Sequence, residues 1–236
     1  MKITAIIQAR MNSHRLPGKV LMDIEGKTSL ERMISRIKKS KLINEIIIAT
    51  TKKKEDLEII KECKSLGLKY FSGDEDDVLD RYFRASQKFD VKNIVRLTAD
   101  CPMHDHEVID SIIRIYKNNN YDYVSNVSKR TFPDGLDVEV FNFKSLDIAQ
   151  KNAKNKVHRE HVTTYIRKKI KGMESGNFRT FNVENETNFS SFRWTLDNQA
   201  DLDHIRFFYK NLPEDFSWKD ALKLEIYKYK KTNFRD

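Results

Sequence analysis

The stretch ITAIIQARMNSHRLPGK occupies residues 3–19 and decides the fold class. Its first part, Ile3–Gln8, is an apolar run typical of a buried β-strand. The loop that follows concentrates three cations, Arg10, Arg15 and Lys19, around a hydroxyl and a Pro-Gly turn. In open α/β sheets, ligands bind outside the carboxyl ends of the strands. The loop is therefore placed to offer charge-assisted donors and backbone N–H groups to a polyphosphate.

This loop is not a Walker A loop, although it contains a Gly-Lys pair. A Walker A motif needs a glycine five residues before that pair and a serine or threonine after it. These two positions are held by Ser13 and Val20. The sequence therefore disfavours kinases and P-loop ATPases.

Strand-like and helix-like segments alternate over the first half of the chain. The further strand-like runs are Glu45–Thr50, Lys69–Phe71 and Asn93–Leu97. The amphipathic helical stretches are about Ser29–Lys39, Glu55–Leu66, Val78–Phe89 and Glu107–Asn119. Short apolar strands separated by helices predict right-handed crossovers and a mostly parallel sheet. We therefore predict a Rossmann-like α/β fold with helices on both faces of the sheet.

After residue 120 the predicted strands and helices no longer alternate regularly. Strand-like pieces are Tyr121–Asn126, Leu136–Asn142, Phe178–Val183 and Phe192–Leu196. Helical stretches are about Lys144–Ala153, Val157–Ile170, Ala200–Leu212 and Trp218–Lys230. No linker rich in Pro, Gly or Ser divides the chain. We predict one domain over residues 1–236, with a β-rich insertion at about residues 125–190.

The composition limits the possible partners. The chain has 236 residues, 44 Lys and Arg against 35 Asp and Glu, and a net charge of +9. Such a charge suits nucleic acid, an anionic membrane or a small polyanion, but the lysines are spread along helices and indicate a solvated surface. Apolar runs are too short for a membrane helix, no signal peptide is recognisable, and two cysteines cannot form a disulfide framework. We expect a cytoplasmic protein without nucleic-acid or membrane partners.

Two carboxylates follow predicted strands in the manner of a metal site. Asp100 lies three residues beyond Asn93–Leu97, and Asp197 directly follows Phe192–Leu196. Carboxylates at two strand ends can converge on one hard cation, and Mg²⁺ typically takes one or two of them with phosphate oxygens and waters. Either aspartate could instead cap a helix.

Other polar clusters allow several interpretations. The acidic segment Gly73–Asp77 could bind a ligand or simply begin a helix. A second cluster has three carboxylates, Asp134, Asp137 and Glu139, around a glycine turn that leads into a strand. His158 and His161, and the group Cys101, His104 and His106, lack the spacing of zinc sites. Arg159 and His161 are better placed for an anionic ligand.

Five stretches, in order along almost the whole chain, resemble the sugar cytidylyltransferases. This family includes the CMP-Kdo and CMP-acylneuraminate synthetases, and the resemblance is strongest to its spore-coat polysaccharide branch. The stretches are Ile6–Leu21, Gly73–Arg81, Val95–Pro102, Phe132–Val140, and Arg193–Asp197 with Asp201 and Leu202.

The resemblance implies a GT-A-like nucleotidyltransferase that transfers CMP from CTP to an acidic, nonulosonic-type sugar and releases pyrophosphate. It implies Mg²⁺ on Asp100 and Asp197, and a homodimer whose 125–190 portion binds the acceptor and dimerises. The implied nucleotide-binding residues are Gln8, Ala9, Arg10, Ser13, Arg15, Lys19, Gly73, Asp74 and Thr98. Catalysis is assigned to Arg10, Arg15, Lys19 and Asp100, and acceptor binding to Asp134, Asp137, Glu139, Arg159 and His161.

Departures from the family leave alternatives open. Residues 11–14, Met-Asn-Ser-His, replace the glycine-rich loop of many acylneuraminate synthetases, so the acceptor is open. A nucleotide-sugar-dependent glycosyltransferase is the second interpretation, although Asp100-Cys101-Pro102 lacks the second aspartate of an Asp-x-Asp motif. A basic nucleic-acid-binding protein is the third, and it would not need the carboxylates.

Overall fold

The structure is a computed structural model that describes residues 1–167 and 175–233, with side chains described up to residue 230. Its strands are β1 (Thr4–Gln8), β2 (Asp23–Ile24), β3 (Lys27–Thr28), β4 (Glu45–Thr51), β5 (Lys69–Gly73), β6 (Asn93–Thr98), β7 (Tyr123–Ser125), β8 (Glu139–Asn142) and β9 (Thr180–Asn182). The main sheet has the order β5-β4-β1-β6-β8-β7-β9, and β2 pairs with β3 in a small hairpin.

The main sheet has a parallel half and a mixed half. Strands β5, β4, β1 and β6 are parallel, whereas β8 is antiparallel to both β6 and β7, and β9 is parallel to β7. Parallel strands point their carboxyl ends to one edge of the sheet. The loops after β1, β5 and β6 therefore meet at that edge.

The helices are α1 (Ser29–Ile37), α2 (Leu57–Ser65), α3 (Val78–Lys88), α4 (His106–Asn118), α5 (Phe143–Asn152), α6 (Lys156–Glu160), α7 (Thr164–Arg167), α8 (Gln199–Asn211) and α9 (Trp218–Asn233). They cover both faces of the sheet. Successive side chains of β1 alternate between two cores: Ala5 and Ile7 pack with α1, α2 and α4, and Ile6 packs with α3 and α5. All three are fully buried. The predicted mostly parallel sheet with helices on both faces is confirmed.

Two sequence-based predictions of secondary structure are wrong. Phe192–Leu196 is not a strand, because its backbone bonds to loops: Trp194 N donates to Asp134 O at 2.7 Å and Leu196 N donates to Asp100 O at 2.7 Å. The predicted helix Val157–Ile170 is interrupted after α6, where Val162 has a φ of 55°, and its last residues, 168–170, lie outside the described residues.

Some strands are also shorter than predicted, and the β2–β3 hairpin was not predicted. Its turn contains Glu25 and Gly26, both with positive φ. None of the helices in residues 1–167 and 175–233 is long and apolar enough to cross a membrane.

Candidate active site

A cavity of about 1080 Å³ opens at the carboxyl ends of the parallel strands. Four segments line it: the loop after β1, the acidic loop after β5, the end of β6 with Asp100, and α6 with the residue after it. Asp197 closes one side. The position agrees with the general rule for open α/β sheets.

Most of the predicted site residues line this one cavity. They are Gln8, Ala9, Arg10, Ser13, Arg15, Lys19, Asp74, Thr98, Asp100, Arg159, His161 and Asp197. Gly73 lies behind the wall, where a Cβ would come within 2.9 Å of the Arg81 side chain. Glycine at this position therefore lets Arg81 pack under the acidic loop, and the Arg81 guanidinium donates to Asp74 O at 2.7 Å.

Backbone hydrogen bonds fold the basic loop after β1. Ser13 N and Gly18 N both donate to Met11 O, at 3.0 and 2.8 Å. Met11 N donates to Oδ1 of the buried Asp56 at 2.7 Å, which ties the loop to the segment after β4. Gly18 has a φ of 74°, a conformation that other residues rarely adopt. The Pro-Gly turn therefore fixes the direction in which Lys19 leaves the loop.

Lys19 lies between the two predicted metal-binding aspartates. Its Nζ donates to Asp197 Oδ1 at 2.9 Å, to Leu196 O at 2.7 Å and to Asp100 Oδ2 at 3.4 Å. The Lys19 side chain is only 11% exposed. The two carboxylates therefore lie close together, although Asp197 follows a loop segment and not the predicted strand, and an ammonium group occupies the space between them.

Asp197 also contacts two arginines. Arg15 lies 3.1 Å from Asp197 Oδ2 and Arg193 lies 2.5 Å from the same oxygen. Burial alone would raise the pKa of Asp197, but its hydrogen bond to Lys19 and the three positive charges hold that pKa below the ordinary value. Asp197 is therefore ionised at neutral pH and concentrates cations beside the cavity.

The acidic loop after β5 both begins a helix and lines the cavity, as its two possible interpretations suggested. Asp77 caps α3 by accepting from Asp80 N at 2.9 Å, as expected of a helix start. The Asp77 carboxylate also accepts from Arg159 of α6, at 3.0 and 2.5 Å. Glu75 pairs with Lys53 and, at 3.8 Å, with Arg10. The loop is thus held to α6 on one side and to the basic loop on the other.

Glu75 and Asp74 are both ionised carboxylates in this wall. The hydrogen bond from Lys53 is the main cause that lowers the pKa of Glu75. The pKa of Asp74 is lowered chiefly by two backbone N–H donors, those of Asp77 and Asp76. Both side chains therefore present fixed negative charge to the cavity, opposite the cationic loop.

A second chamber of about 200 Å³ adjoins the main cavity. Arg96, Thr98 and His161 line both spaces, and the other charged residues of the chamber are Arg130, Asp137, Glu139 and Arg167. Two of the predicted acceptor residues, Asp137 and Glu139, thus line the chamber and not the main cavity. Asp134 lines neither; it lies 3.8 Å from Arg193 and 4.0 Å from Arg130.

Glu139 is the centre of a buried polar network. It accepts from Arg96, from the Tyr123 hydroxyl at 2.7 Å and from the Thr163 hydroxyl at 2.7 Å, and it lies 3.7 Å from Arg167. Burial alone would raise the pKa of Glu139, but the charges of Arg96 and Arg167 lower it. Glu139 therefore orients Arg96 and Arg167, two of the three arginines that line the chamber.

Asp137 has a different electrostatic environment. It pairs with Arg130, but burial dominates and raises the pKa of its carboxyl. Asp137 thus differs from Asp74, Glu75 and Asp197, in which neighbouring donors and cations outweigh burial.

His158 has a local hydrogen-bonding partner, whereas neither ring nitrogen of the buried His104 has a partner among the described residues. His158 is buried, and its Nδ1 is 2.8 Å from Thr164 Oγ1. Burial lowers the pKa of His104 to about 3 and raises that of the Cys101 thiol well above its ordinary value. No three His, Cys, Asp or Glu side chains in residues 1–167 and 175–233 come close enough to hold a metal ion by themselves.

Arg96, Arg167 and Arg193 were not predicted as site residues. Arg96 could have been found, because a charged residue interrupts the apolar strand Asn93–Leu97. Arg193 could also have been found, because it belongs to the same stretch as Asp197. Arg167 gives no such signal, since it lies within a lysine- and arginine-rich helical sequence.

Residues 4–228 match the sequence model of a family described as "Cytidylyltransferase". The Spore coat polysaccharide biosynthesis protein SpsF of Bacillus subtilis is 32% identical over 221 residues, which cover 90% of this chain and 88% of that one. The 3-deoxy-manno-octulosonate cytidylyltransferase of Geobacter sulfurreducens is 32% identical over 115 residues, 48% of this chain and 44% of that one.

A solved structure described as a cytidylyltransferase from Leptospira borgpetersenii superposes with a TM-score of 0.90. It is 29% identical, and the match covers 100% of this chain and 98% of that one. These comparisons favour a nucleotidyltransferase over a glycosyltransferase or a nucleic-acid-binding protein. The chain belongs to the cytidylyltransferase family, as the resemblance predicted, and is accordingly a nucleotidyltransferase that uses CTP.

Proposed function

We propose that this protein transfers CMP from CTP to an oxygen of an acidic, nonulosonic-type sugar or related acceptor, with Mg²⁺, and releases pyrophosphate for cell-surface polysaccharide biosynthesis. The observation that carries the proposal is the single cavity in which the basic loop faces Asp100 and Asp197. It combines donors for a polyphosphate with carboxylates for a hard cation.

The basic loop binds the triphosphate in this proposal. Arg10, Arg15 and Lys19, with the Ser13 hydroxyl, donate to phosphate oxygens and stabilise the charge of the departing pyrophosphate. Phosphoryl-type displacements depend on positioning and charge neutralisation more than on covalent chemistry. Arg15, whose side chain is 65% exposed, is accessible to the ligand without rearrangement.

The donor set at Asp100 and Asp197 fits a magnesium ion. Both carboxylates lie within 3.4 Å of one cation, the Lys19 ammonium, so the site already holds positive charge. Mg²⁺ commonly uses one or two carboxylates and completes its shell with phosphate oxygens and waters, so no third protein carboxylate is needed. When bound, the ion supplies charge neutralisation at the transferred phosphate.

The nucleoside lies against the ends of β1, β5 and β6 in this proposal. Gln8, Ala9, Asp74 and Thr98 all line the cavity, and Thr98 lies beside Gln8 in the pairing of β6 with β1. Gly73 contributes indirectly, by allowing the close packing of Arg81 described above.

The second chamber is the proposed acceptor site. Its three arginines, Arg96, Arg130 and Arg167, outnumber its two carboxylates, so it favours an acidic ligand. His161 lies at the border with the main cavity, and Arg159 lines the main cavity nearby. Asp137 and Glu139 hold the arginines in place, and Asp134 acts through Arg193. The resemblance to a protein named for 3-deoxy-manno-octulosonate supports an acid as the acceptor.

The proposed protein is a cytoplasmic homodimer. Strand β9 lies at the edge of the main sheet, where Phe181 is 41% exposed and stacks on Tyr121 with the ring centroids 5.2 Å apart. This edge is suited to pairing with a second copy. Light scattering after size exclusion tests the dimer, and a monomeric mass would contradict it. The two free, buried cysteines fit a reducing compartment.

A pyrophosphate-release screen tests the reaction. Four nucleoside triphosphates are combined with a panel of acidic and neutral sugars, with Mg²⁺ and with EDTA. We expect release only with CTP, an acidic sugar and Mg²⁺. Asp100→Asn is the matched control for contaminating activity. Release with neutral sugars alone, or unchanged release in EDTA, would contradict the proposal.

A further inference from the structure

Lys19 has no hydrogen-bonding capacity left for a phosphate in the structure described above. An ammonium group has three N–H donors, and the three oxygens of Asp100, Asp197 and Leu196 lie within reach of Lys19 Nζ. Arg15 differs, because its guanidinium has five donors and its side chain is largely exposed. If Lys19 is to hold the triphosphate, it must first leave the aspartates.

The position of Lys19 is also the position that a metal ion needs. Two cations placed within a few ångströms of each other repel strongly, and more so away from bulk water. A divalent ion held by both Asp100 and Asp197 therefore displaces the ammonium. The displaced ammonium then loses both carboxylates with which it pairs, and a polyanion that enters the cavity supplies new partners.

We propose that Lys19 is a resident cation that Mg²⁺ and the triphosphate displace together. The metal ion takes the two carboxylates, and the ammonium moves to the phosphate oxygens that the nucleotide brings. This proposal rests on the proposed function and adds a competition to it: without nucleotide the metal ion must compete with Lys19 and binds weakly, and with nucleotide it binds more tightly. No covalent bond is formed or broken in the exchange.

Linkage gives the exchange a measurable consequence. Anything that removes the ammonium without removing the carboxylates must strengthen metal binding to the protein alone. The same change must also reduce the factor by which the metal ion tightens nucleotide binding, because no ammonium is then freed for the phosphates. This factor is the same whichever ligand binds first. An ordinary phosphate-binding lysine predicts neither effect, because it does not compete with the metal.

Lys19→Met tests this, since methionine has an unbranched side chain without charge. We expect it to bind Mn²⁺, the probe, about tenfold more tightly than the wild type in the absence of nucleotide. This factor corresponds to the loss of one charge-assisted hydrogen bond from the competitor. Mn²⁺ binding is followed by the electron paramagnetic resonance of the free ion. Lys19→Arg, which keeps the charge, should bind Mn²⁺ no more tightly than the wild type.

Lys156→Met is the matched control. Lys156 lines the same cavity but is not among the ion-pair partners of Asp100 or Asp197. Its replacement by methionine therefore removes one positive charge from the cavity without freeing either carboxylate. We expect a Mn²⁺ affinity within about twofold of the wild type. In EDTA, Lys19→Met should weaken CTP binding no more than Lys156→Met does, whereas with Mg²⁺ it should weaken CTP binding more. Equal Mn²⁺ affinities for the wild type and Lys19→Met would overturn the exchange.

A measurement on the wild type covers the case in which Lys19→Met does not fold. Lysines are acetylated with acetic anhydride, and the labelled positions are read by mass spectrometry. Saturating Mn²⁺ should raise the labelling of Lys19 severalfold relative to that of Lys156, and an unchanged ratio would overturn the exchange. Failure of the proposed function is distinguishable, because it appears as an absence of pyrophosphate release with every pair of substrates.

Discussion

Glu139→Gln is expected to lower the free energy of unfolding by about 3–5 kcal/mol, the range for removing one partner of a buried ion pair. The Glu139 side chain is 3% exposed; one oxygen accepts from Arg96, and the other accepts from the Tyr123 and Thr163 hydroxyls. Glutamine fills the same space, and its amide NH₂ can face the two hydroxyls, which are able to accept. What is lost is the charge, so Arg96, whose side chain is 15% exposed, keeps its place in the wall without its carboxylate.

Urea unfolding at pH 7 and fixed ionic strength, followed by circular dichroism, measures this loss. Asp147→Asn is the matched control: Asp147 pairs with Lys151 at 2.7 Å on the outer side of α5. A surface pair one helical turn apart contributes at most about 1 kcal/mol. Equal losses of unfolding free energy in the two variants would refute the reasoning. They would show that the buried pair of Glu139 contributes no more to stability than a surface pair does.

The same network gives the pH dependence a definite sign. The folded-state pKa of Glu139 lies below 4.5, its ordinary value, because the charges of Arg96 and Arg167 outweigh burial. Such a carboxyl contributes full stability above its unfolded pKa and loses that contribution as the pH falls through the folded pKa. The wild type should therefore lose stability below about pH 4.5, and Glu139→Gln should lose less over the same range.

Three further predictions concern the main cavity and the charge of the chain. Asp100→Asn and Asp197→Asn should each reduce kcat/KM for pyrophosphate release by orders of magnitude, with melting temperatures showing that the fold survives. The double variant should lose little more than either single one, because groups that act as a unit are not additive; near-normal turnover of either variant at limiting Mg²⁺ would make that aspartate a structural residue. Arg15→Ala and Lys19→Ala should each weaken CTP binding in the presence of Mg²⁺ by about 1.5–3 kcal/mol in calorimetric titrations, and unchanged affinity in both would remove the loop from the phosphate site. Binding to mixed-sequence DNA or RNA at ~150 mM salt should be no tighter than ~10⁻⁶ M, whereas nanomolar, sequence-selective binding would contradict the assignment of the positive charge to a solvated surface.

The sequence predicts the parallel half of the sheet well because the information there is local. An apolar run such as Ile3–Gln8 forms a strand in any mostly parallel sheet, and the loop after it must lie at the carboxyl edge. The meeting of Lys19 with Asp100 follows from that topology, whereas Asp197 is held nearby by the backbone hydrogen bond from Leu196 N to Asp100 O. Knowing where the parallel strands end therefore places the loops after β1, β5 and β6 at one cavity, but it does not place Asp197, Arg159 or His161 there.

The region after residue 120 was harder to predict because its structure depends on partners distant in sequence. Phe192–Leu196 has the composition of a strand, but its N–H groups bond to the loops at Asp134 and Asp100 and not to a neighbouring strand. Val162 breaks the predicted helix with a positive φ, which β-branched residues seldom adopt. Glu139 was predicted to face a ligand, and nothing local shows that Arg96, 43 residues away, holds it in the wall of the chamber.

The contacts of Lys19 also determine when the site can exist during synthesis. Lys19 is separated from Asp197 by 178 residues, and closing a loop of that size has an entropic cost that only late, long-range contacts can offset. A growing chain therefore exposes its cationic loop long before the aspartate that neutralises it has been made. Until then the emerging segment carries unpaired positive charge beside a ribosome rich in phosphate. The late-made aspartate, and not the nucleotide loop, is what turns a polyanion-binding segment into a selective site.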